Sequence, residues 1–288
     1  MKLYSNITIL MFFLGGLVFG QRAPFFNTGE DPKPKDTKWK LVKNMSDEFK
    51  GKTINNKKWQ YEGQNWKGRS PGLFLPENIN VSDGFLKIKT TLLEKHVTKG
   101  GKTFTHGGGY VGSYKNNTYG YYECRMKANK TFMSSTFWLI NEGRNEKGCD
   151  KRTTELDVQE CVGRITSTKE FAKKMTNHMN SNTHSRNIPE GCDYPKDTKG
   201  AKAPLNTNAH EDFHVYGVWW KSKDEVQFFL DGKFQSKLKP ASDFNIPMHL
   251  RMVVETYDWN PAPEDGGMTG TLEDRTTLYD WVRVWDLK

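Results

Sequence analysis

Short apolar runs separated by polar and turn-forming residues recur along most of this chain. In Phe85-Leu86-Lys87-Ile88-Lys89 every second residue is apolar or cationic in turn, the period of a strand with one buried face. The run follows Asp83-Gly84, a dipeptide suited to a two-residue hairpin turn. Val226 to Leu230 repeats the pattern and ends on a second such dipeptide, Asp231-Gly232. Further strand-like runs are Tyr119 to Lys127, Ser135 to Ile140, Phe213 to Trp220, His249 to Thr256 and Leu278 to Trp285. Many short strands at this spacing predict an all-β sandwich. Ser167 to Met175 alone reads as helical, and no internal repeat or low-complexity tract interrupts the series. Gly143 to Thr154 and Asn187 to Ala209 read as long polar insertions, of the kind that would wall the open ends of a groove.

The chain begins differently. Lys2 followed by the apolar run Ile7 to Phe19, with Gly15, Gly16 and Gly20 near a cut before Gln21, reads as a signal peptide over residues 1–20. The apolar run is short for a membrane span. The expectation is export, to the periplasm or the medium, with no membrane attachment after cleavage. Residues 21–36 are rich in Pro, Gly and charge and read as a linker or mobile arm, leaving residues 37–288 as one large β domain.

Composition narrows the partners. A mean hydropathy of −0.79 demands a strongly polar surface, and aromatics make up 13% of the chain, nine of them Trp. Sugars stack on such rings. The net charge of +9 fits generic solubility and also attraction to a polyanion, which for an exported protein would be a sulfated or uronic polysaccharide. Nucleic acid is disfavoured, because no helix-turn-helix, zinc-finger or RNA-binding signature is present. Of the four cysteines, Cys149 and Cys192 lie in loop-like sequence and are the favoured disulfide. Cys124 and Cys161 lie in strand-like sequence as buried thiols, although three complete pairings remain open.

The chemistry is concentrated in Glu155-Leu156-Asp157-Val158-Gln159-Glu160. Like charges this close resist common ionisation, so their pKa values should separate, giving one carboxylate and one carboxylic acid. On a regular strand Glu155, Asp157 and Gln159 share a face and Glu160 points to the other. One extra residue, a β-bulge between Asp157 and Glu160, returns Glu160 to the side of the other two. Glu155 and Glu160 are then four strand steps apart, roughly 13 Å between Cα atoms, and leaning side chains bring the carboxyls to about 5–6 Å. Double-displacement glycoside hydrolysis needs about 5–5.5 Å.

With its flanking motifs this hexamer resembles glycoside hydrolase family 16. The flanks are Tyr119-Gly120-Tyr121-Tyr122-Glu123, Arg125-Met126-Lys127, Ser135-Thr136-Phe137-Trp138-Leu139 and Tyr279-Asp280-Trp281-Val282-Arg283-Val284. Asn65 to Gly72, Asn182 to Arg186 and Glu255 to Trp259 resemble the agarase and porphyranase branch, which cuts red-algal galactans. The resemblance implies a β-jelly roll of two curved antiparallel sheets with a concave cleft, retaining endo-hydrolysis of β-1,4 linkages in sulfated porphyran or neutral agarose, and a monomer. It casts Glu155 as nucleophile, Glu160 as acid and base, and Asp157 as a partner that hydrogen-bonds and tunes Glu155. It implies sugar contacts from Trp66, Arg69, Trp138, Glu255, Trp259, His184 and Arg186. Arg144, Arg152 and Arg164 are candidate sulfate contacts by their two-point donor geometry, against the plainer reading of surface charge. No cofactor is expected in catalysis. Gly84, through its carbonyl, and Asp280 match a structural calcium site of the family.

Overall fold

The computed structural model describes residues 23–141 and 146–288. The expected signal peptide and Arg144 fall outside them. Two antiparallel sheets face each other. One runs, from edge to edge, Lys233–Leu238, Glu225–Leu230, His214–Ser222, Gly120–Lys127, Thr276–Leu287, Phe85–Lys89 and Ile79–Ser82, with Trp39–Leu41 also paired to Thr276–Leu287. The other runs Asp197–Pro204, His178–Arg186, Thr153–Val162, Ser134–Ile140, Met248–Val254, Lys102–Asn117 and Trp59–Gln60, with Gly72–Phe74 and Thr91–Lys99 joining Lys102–Asn117. The architecture is the expected all-β sandwich.

Strand periodicity explains how the layers close. Leu86 and Ile88 are buried while Phe85, Lys87 and Lys89 face outward. Asp83 and Gly84 have φ of 54° and 82°, and Asp231 and Gly232 have 48° and 74°. Positive φ at both central residues is what a tight hairpin requires, and both dipeptides turn hairpins here. The main core lies between the sheets and includes Tyr122, Cys124, Met126, Tyr216, Trp220 and Phe228 from one layer, with Phe137, Leu139, Leu156, Val158, Leu250 and Met252 from the other. The neighbours of these residues along each strand point away from the core, so the outer face of the nine-stranded sheet is free to carry chemistry.

Several expectations need correction. The segment read as a mobile arm is docked over its described residues. Phe25 N donates to Glu123 Oε2 at 2.9 Å and Asn27 N to Gly232 O at 3.0 Å. Phe26 packs among Trp39, Tyr121 and Phe229 on the outer face of the eight-stranded sheet. Burying an aromatic ring outweighs the polar composition that made the segment look unattached. The helix read at Ser167 to Met175 is a 3-10 segment, Glu170–Lys174. The insertion Asn187 to Ala209 contains a strand, Asp197–Pro204, that pairs with His178–Arg186 at the sheet edge.

Cys149 and Cys192 form the disulfide, and Cys124 and Cys161 are buried thiols. The bond ties the turn before Thr153–Val162 to the loop after His178–Arg186, at the end where Thr153 pairs with Arg186. Arg152, read as a sulfate contact or a surface charge, is neither. It is fully buried here, bonded to Cys149 O, Asp150, Asp243 O and Asn245, with Tyr194 4.0 Å from its guanidinium. Arg164 is half-buried and paired to both oxygens of Asp265. Cys149→Ser should lower unfolding stability by about 2–4 kcal/mol, because the bridge closes a long loop. Urea denaturation of the oxidised protein and the variant measures this, and coincident curves would rule it out.

The two residues read as calcium ligands sit beside ion pairs. Arg125 Nη1 lies 2.6 Å from Asp280 Oδ2, so a guanidinium already neutralises that carboxylate. Asp83, beside Gly84, is likewise paired, with Lys87. Of the two residues read as calcium ligands only Asp280 brings charge, and a cation there would compete with Arg125 for it.

Candidate active site

Thr153–Val162 pairs with Ser134–Ile140 on one side and His178–Arg186 on the other. Opposite Ser134–Ile140, Glu155 faces Ile140, Asp157 faces Trp138 and Glu160 faces Thr136. The register shifts between Asp157 and Gln159, so Val158 is the extra residue. The bulge predicted between Asp157 and Glu160 is therefore present. Leu156 and Val158 enter the core, whereas Glu155, Asp157 and Glu160 line one cleft. Gln159 is buried and satisfied by its neighbours, accepting from Asn180 N and donating to His178 O.

The cleft has a volume of about 900 Å³ and gathers all ten catalytic and sugar-contact residues read from the sequence. Trp66 and Trp138 meet edge to face at 6.1 Å over a support of Phe74, Tyr110 and Val253. A smaller recess of about 310 Å³ opens beyond them and shares Trp66, Trp138 and Ile140 with the cleft. At the other end Trp259 stacks on Tyr257, with ring centroids 5.0 Å apart.

The electrostatics divide the carboxyl groups. Arg186 donates to both oxygens of Glu155, Nη1 to Oε1 at 3.1 Å and Nη2 to Oε2. Such a fork fixes the plane of the carboxylate. Asp157 was expected to bond to Glu155, but its hydrogen bond is with His184, Oδ2 to Nε2 at 2.9 Å. The other ring nitrogen of His184 bonds Thr198 Oγ1 at 2.9 Å. One side-chain donor atom from each of Glu155, Asp157 and His184 lies within 4.8 Å of the other two. Burial and then the charge of Glu155 push Asp157 well above the usual carboxylate range. Burial holds the His184 imidazole below its ordinary value, so the ring is neutral at pH 7. Glu160 is pushed up to about 8, first by burial and then by the charge of Asp157. It therefore keeps a proton near neutral pH.

Arg69 reaches Glu255 Oε2 at 2.9 Å and Asp258 at 3.7 Å. Burial nevertheless pushes Glu255 up to about 7. Arg69, Arg186 and Lys102 place positive charge along the cleft.

Two residues of the site were passed over in the sequence. Tyr257 Oη donates to Glu160 Oε1 at 2.7 Å, and Asn182 Nδ2 donates to Glu160 Oε2 at 3.0 Å. The strand period carried a signal for Asn182, whereas Tyr257 lies beyond the strand end at Val254. Asn182 shares a face with His184 and Arg186, and Tyr257 lies midway between Glu255 and Trp259.

Comparison with known proteins agrees with this geometry. A family model described as beta-porphyranase A-D, GH16 domain, matches residues 39–287. The chain is 63% identical to beta-porphyranase B of Zobellia galactanivorans over 100% of its own length and 98% of that protein. It is 38% identical to beta-porphyranase B of Phocaeicola plebeius, over 88% of this chain and 86% of that one. The crystal structure of porphyranase B from Zobellia galactanivorans aligns with a TM-score of 0.91 at 66% identity, covering 92% of this chain and 99% of that one.

Proposed function

This chain belongs to the β-porphyranase branch of glycoside hydrolase family 16, and we propose that it is an exported, retaining endo-β-galactanase cleaving the β-1,4 linkages of porphyran. The observation that carries the chemistry is the bulge at Val158. It sets Glu155 and Glu160 on one wall of a cleft, one clamped by a guanidinium and the other holding a proton.

In the first step a carboxylate oxygen of Glu155 attacks the anomeric carbon. The glycosidic C–O bond breaks, and the Glu160 proton passes to the departing oxygen. In the second step Glu160, now a carboxylate, takes a proton from water. That water attacks the anomeric carbon and Glu155 leaves. Arg186 keeps the nucleophile aimed and must yield one of its two bonds as Glu155 attacks. Asp157 and His184 hold the interval between the two reacting carboxyls. Trp66 and Trp138 supply stacking surface, and Arg69 with Glu255 supplies a polar pair for sugar hydroxyls.

Export rests on the reading of residues 1–20. Among the described residues no helix is long and apolar enough to cross a membrane. The net charge of +9, with Lys102 at the cleft beside the paired Arg69 and Arg186, favours a sulfated chain over a neutral one. Purified protein should release oligosaccharides from porphyran at least about tenfold faster than from agarose. Sizing and sulfate analysis of the products measure this. Faster release from agarose would make the chain an agarase, and binding of both polymers without cleavage would make it a glycan-binding jelly roll.

A further inference from the structure

Both carboxyl oxygens of Glu160 are held from outside its own strand. Asn182, which binds Oε2, sits on His178–Arg186 directly opposite Asp157. Tyr257, which binds Oε1, follows the strand Met248–Val254 on the opposite side of the cleft. Its phenol is fixed by more than this bond. The ring stacks on Trp259 with an interplanar angle of 21°, and its backbone bridges to Asn260. The Asn260 amide in turn donates to Phe132 O and Arg164 O.

We propose that Tyr257 and Asn182 are the positioning residues of the acid/base carboxyl, fixing which oxygen gives up the proton and how strong an acid it is. The proposal rests on reading Glu160 as the acid and base.

The chemistry follows from what each group can do. An amide nitrogen only donates, so Oε2 must accept in every state of the cycle. The carbonyl oxygen of a carboxylic acid accepts better than its hydroxyl, so the proton resides on Oε1. The phenol also addresses Oε1, and its hydrogen bond strengthens as that oxygen becomes anionic. Tyr257 thus opposes the upward push of burial and of Asp157. It favours the carboxylate that forms as the leaving group takes the proton and that later acts as base. The Tyr257 phenol itself stays un-ionised, raised well above its ordinary value by burial and then by the charge of Glu160.

Tyr257→Phe keeps the ring and its stacking and removes only the donor. On porphyran oligosaccharides kcat should fall about ten- to a hundredfold, the effect of one charge-assisted hydrogen bond, with KM within about threefold. The basic limb of the pH profile of kcat/KM should move upward by about half to one unit. Asn182→Ala should move it in the same direction. Both losses should shrink on an oligosaccharide with an activated aryl leaving group, which departs without a proton. A basic limb that stays in place or moves down in both variants overturns the proposal, as does a loss confined to KM. Should Tyr257→Phe lower the thermal midpoint markedly, Asn182→Ala carries the test. Glu160→Gln separates the two levels of inference. If that variant keeps wild-type activity and its basic limb, the acid/base assignment itself fails. If it is inactive and rescued by azide while the other two variants titrate as wild type, only the positioning role fails.

Discussion

Replacing Glu155 with Ser should lower kcat on porphyran by at least about 10⁴-fold, the order seen when a covalent nucleophile is removed from a site that otherwise still binds. Glu155 supplies the bond that holds the glycosyl group between the two steps, and Ser at this position is shorter, while the nearest base, His184, is already bonded to Asp157 and Thr198. The nearest cation, Arg186, was aimed at a carboxylate and cannot deprotonate a hydroxyl. Ground-state binding is supplied by groups farther along the cleft, among them Trp66, Trp138 and Arg69. Oligosaccharide affinity should therefore change only a few-fold. Reducing-end release measures the first quantity and calorimetric titration the second. Hydrolysis at the wild-type rate would remove Glu155 from the nucleophile's role and with it the double-displacement mechanism.

The second large effect belongs to Glu160. Its folded-state pKa lies at about 8, above the ordinary carboxyl value, so the proton is present below that pH and is lost as pH rises through it. The pH profile of kcat/KM should therefore fall on its alkaline side near pH 8, by about tenfold for each further unit. Glu160→Gln preserves shape but has no proton to give, and its one carbonyl oxygen can accept from only one of Tyr257 and Asn182. Activity on the natural polymer should drop about 10²–10⁴-fold, and the alkaline limb should vanish because the group that titrates there is gone. Azide, which needs no general base, should restore turnover of an activated aryl glycoside and release a glycosyl azide of retained configuration. An alkaline limb that persists in the variant would assign the titration to another group, with Glu255, raised to about 7, the nearest candidate in the cleft.

The misread segments share a cause. Lys102–Asn117, the longest strand of the described residues, is absent from the strand-like runs read along the chain, and Gly107-Gly108-Gly109 lies in its middle. The glycines are there because neighbouring groups leave no room: a Cβ on Gly109 would meet Ile88 Cγ2 at 2.6 Å. Asp197–Pro204 is an edge strand exposed over most of its length, and only the small side chains of Ala201 and Ala203 turn inward, so its apolar alternation is faint. Arg152 looked like a surface charge because its partners, Asp243 and Asn245, lie about ninety positions away in sequence. Docking of residues 23–36 depended on an aromatic cluster assembled from five separate strands of the eight-stranded sheet.

What the sequence by itself determined was local in origin. Period-two alternation and two Asp-Gly turns set the sandwich, and six consecutive residues named the reacting carboxyls, because strand geometry fixes where each neighbour points. What only the tertiary structure decided were the partners across strands. Arg186 holds Glu155, His184 holds Asp157, and Tyr257 and Asn182 hold Glu160. Register and distance between strands govern those pairings, and hydrogen bonds about 3 Å long depend on where two distant segments meet, which no spacing along one of them encodes.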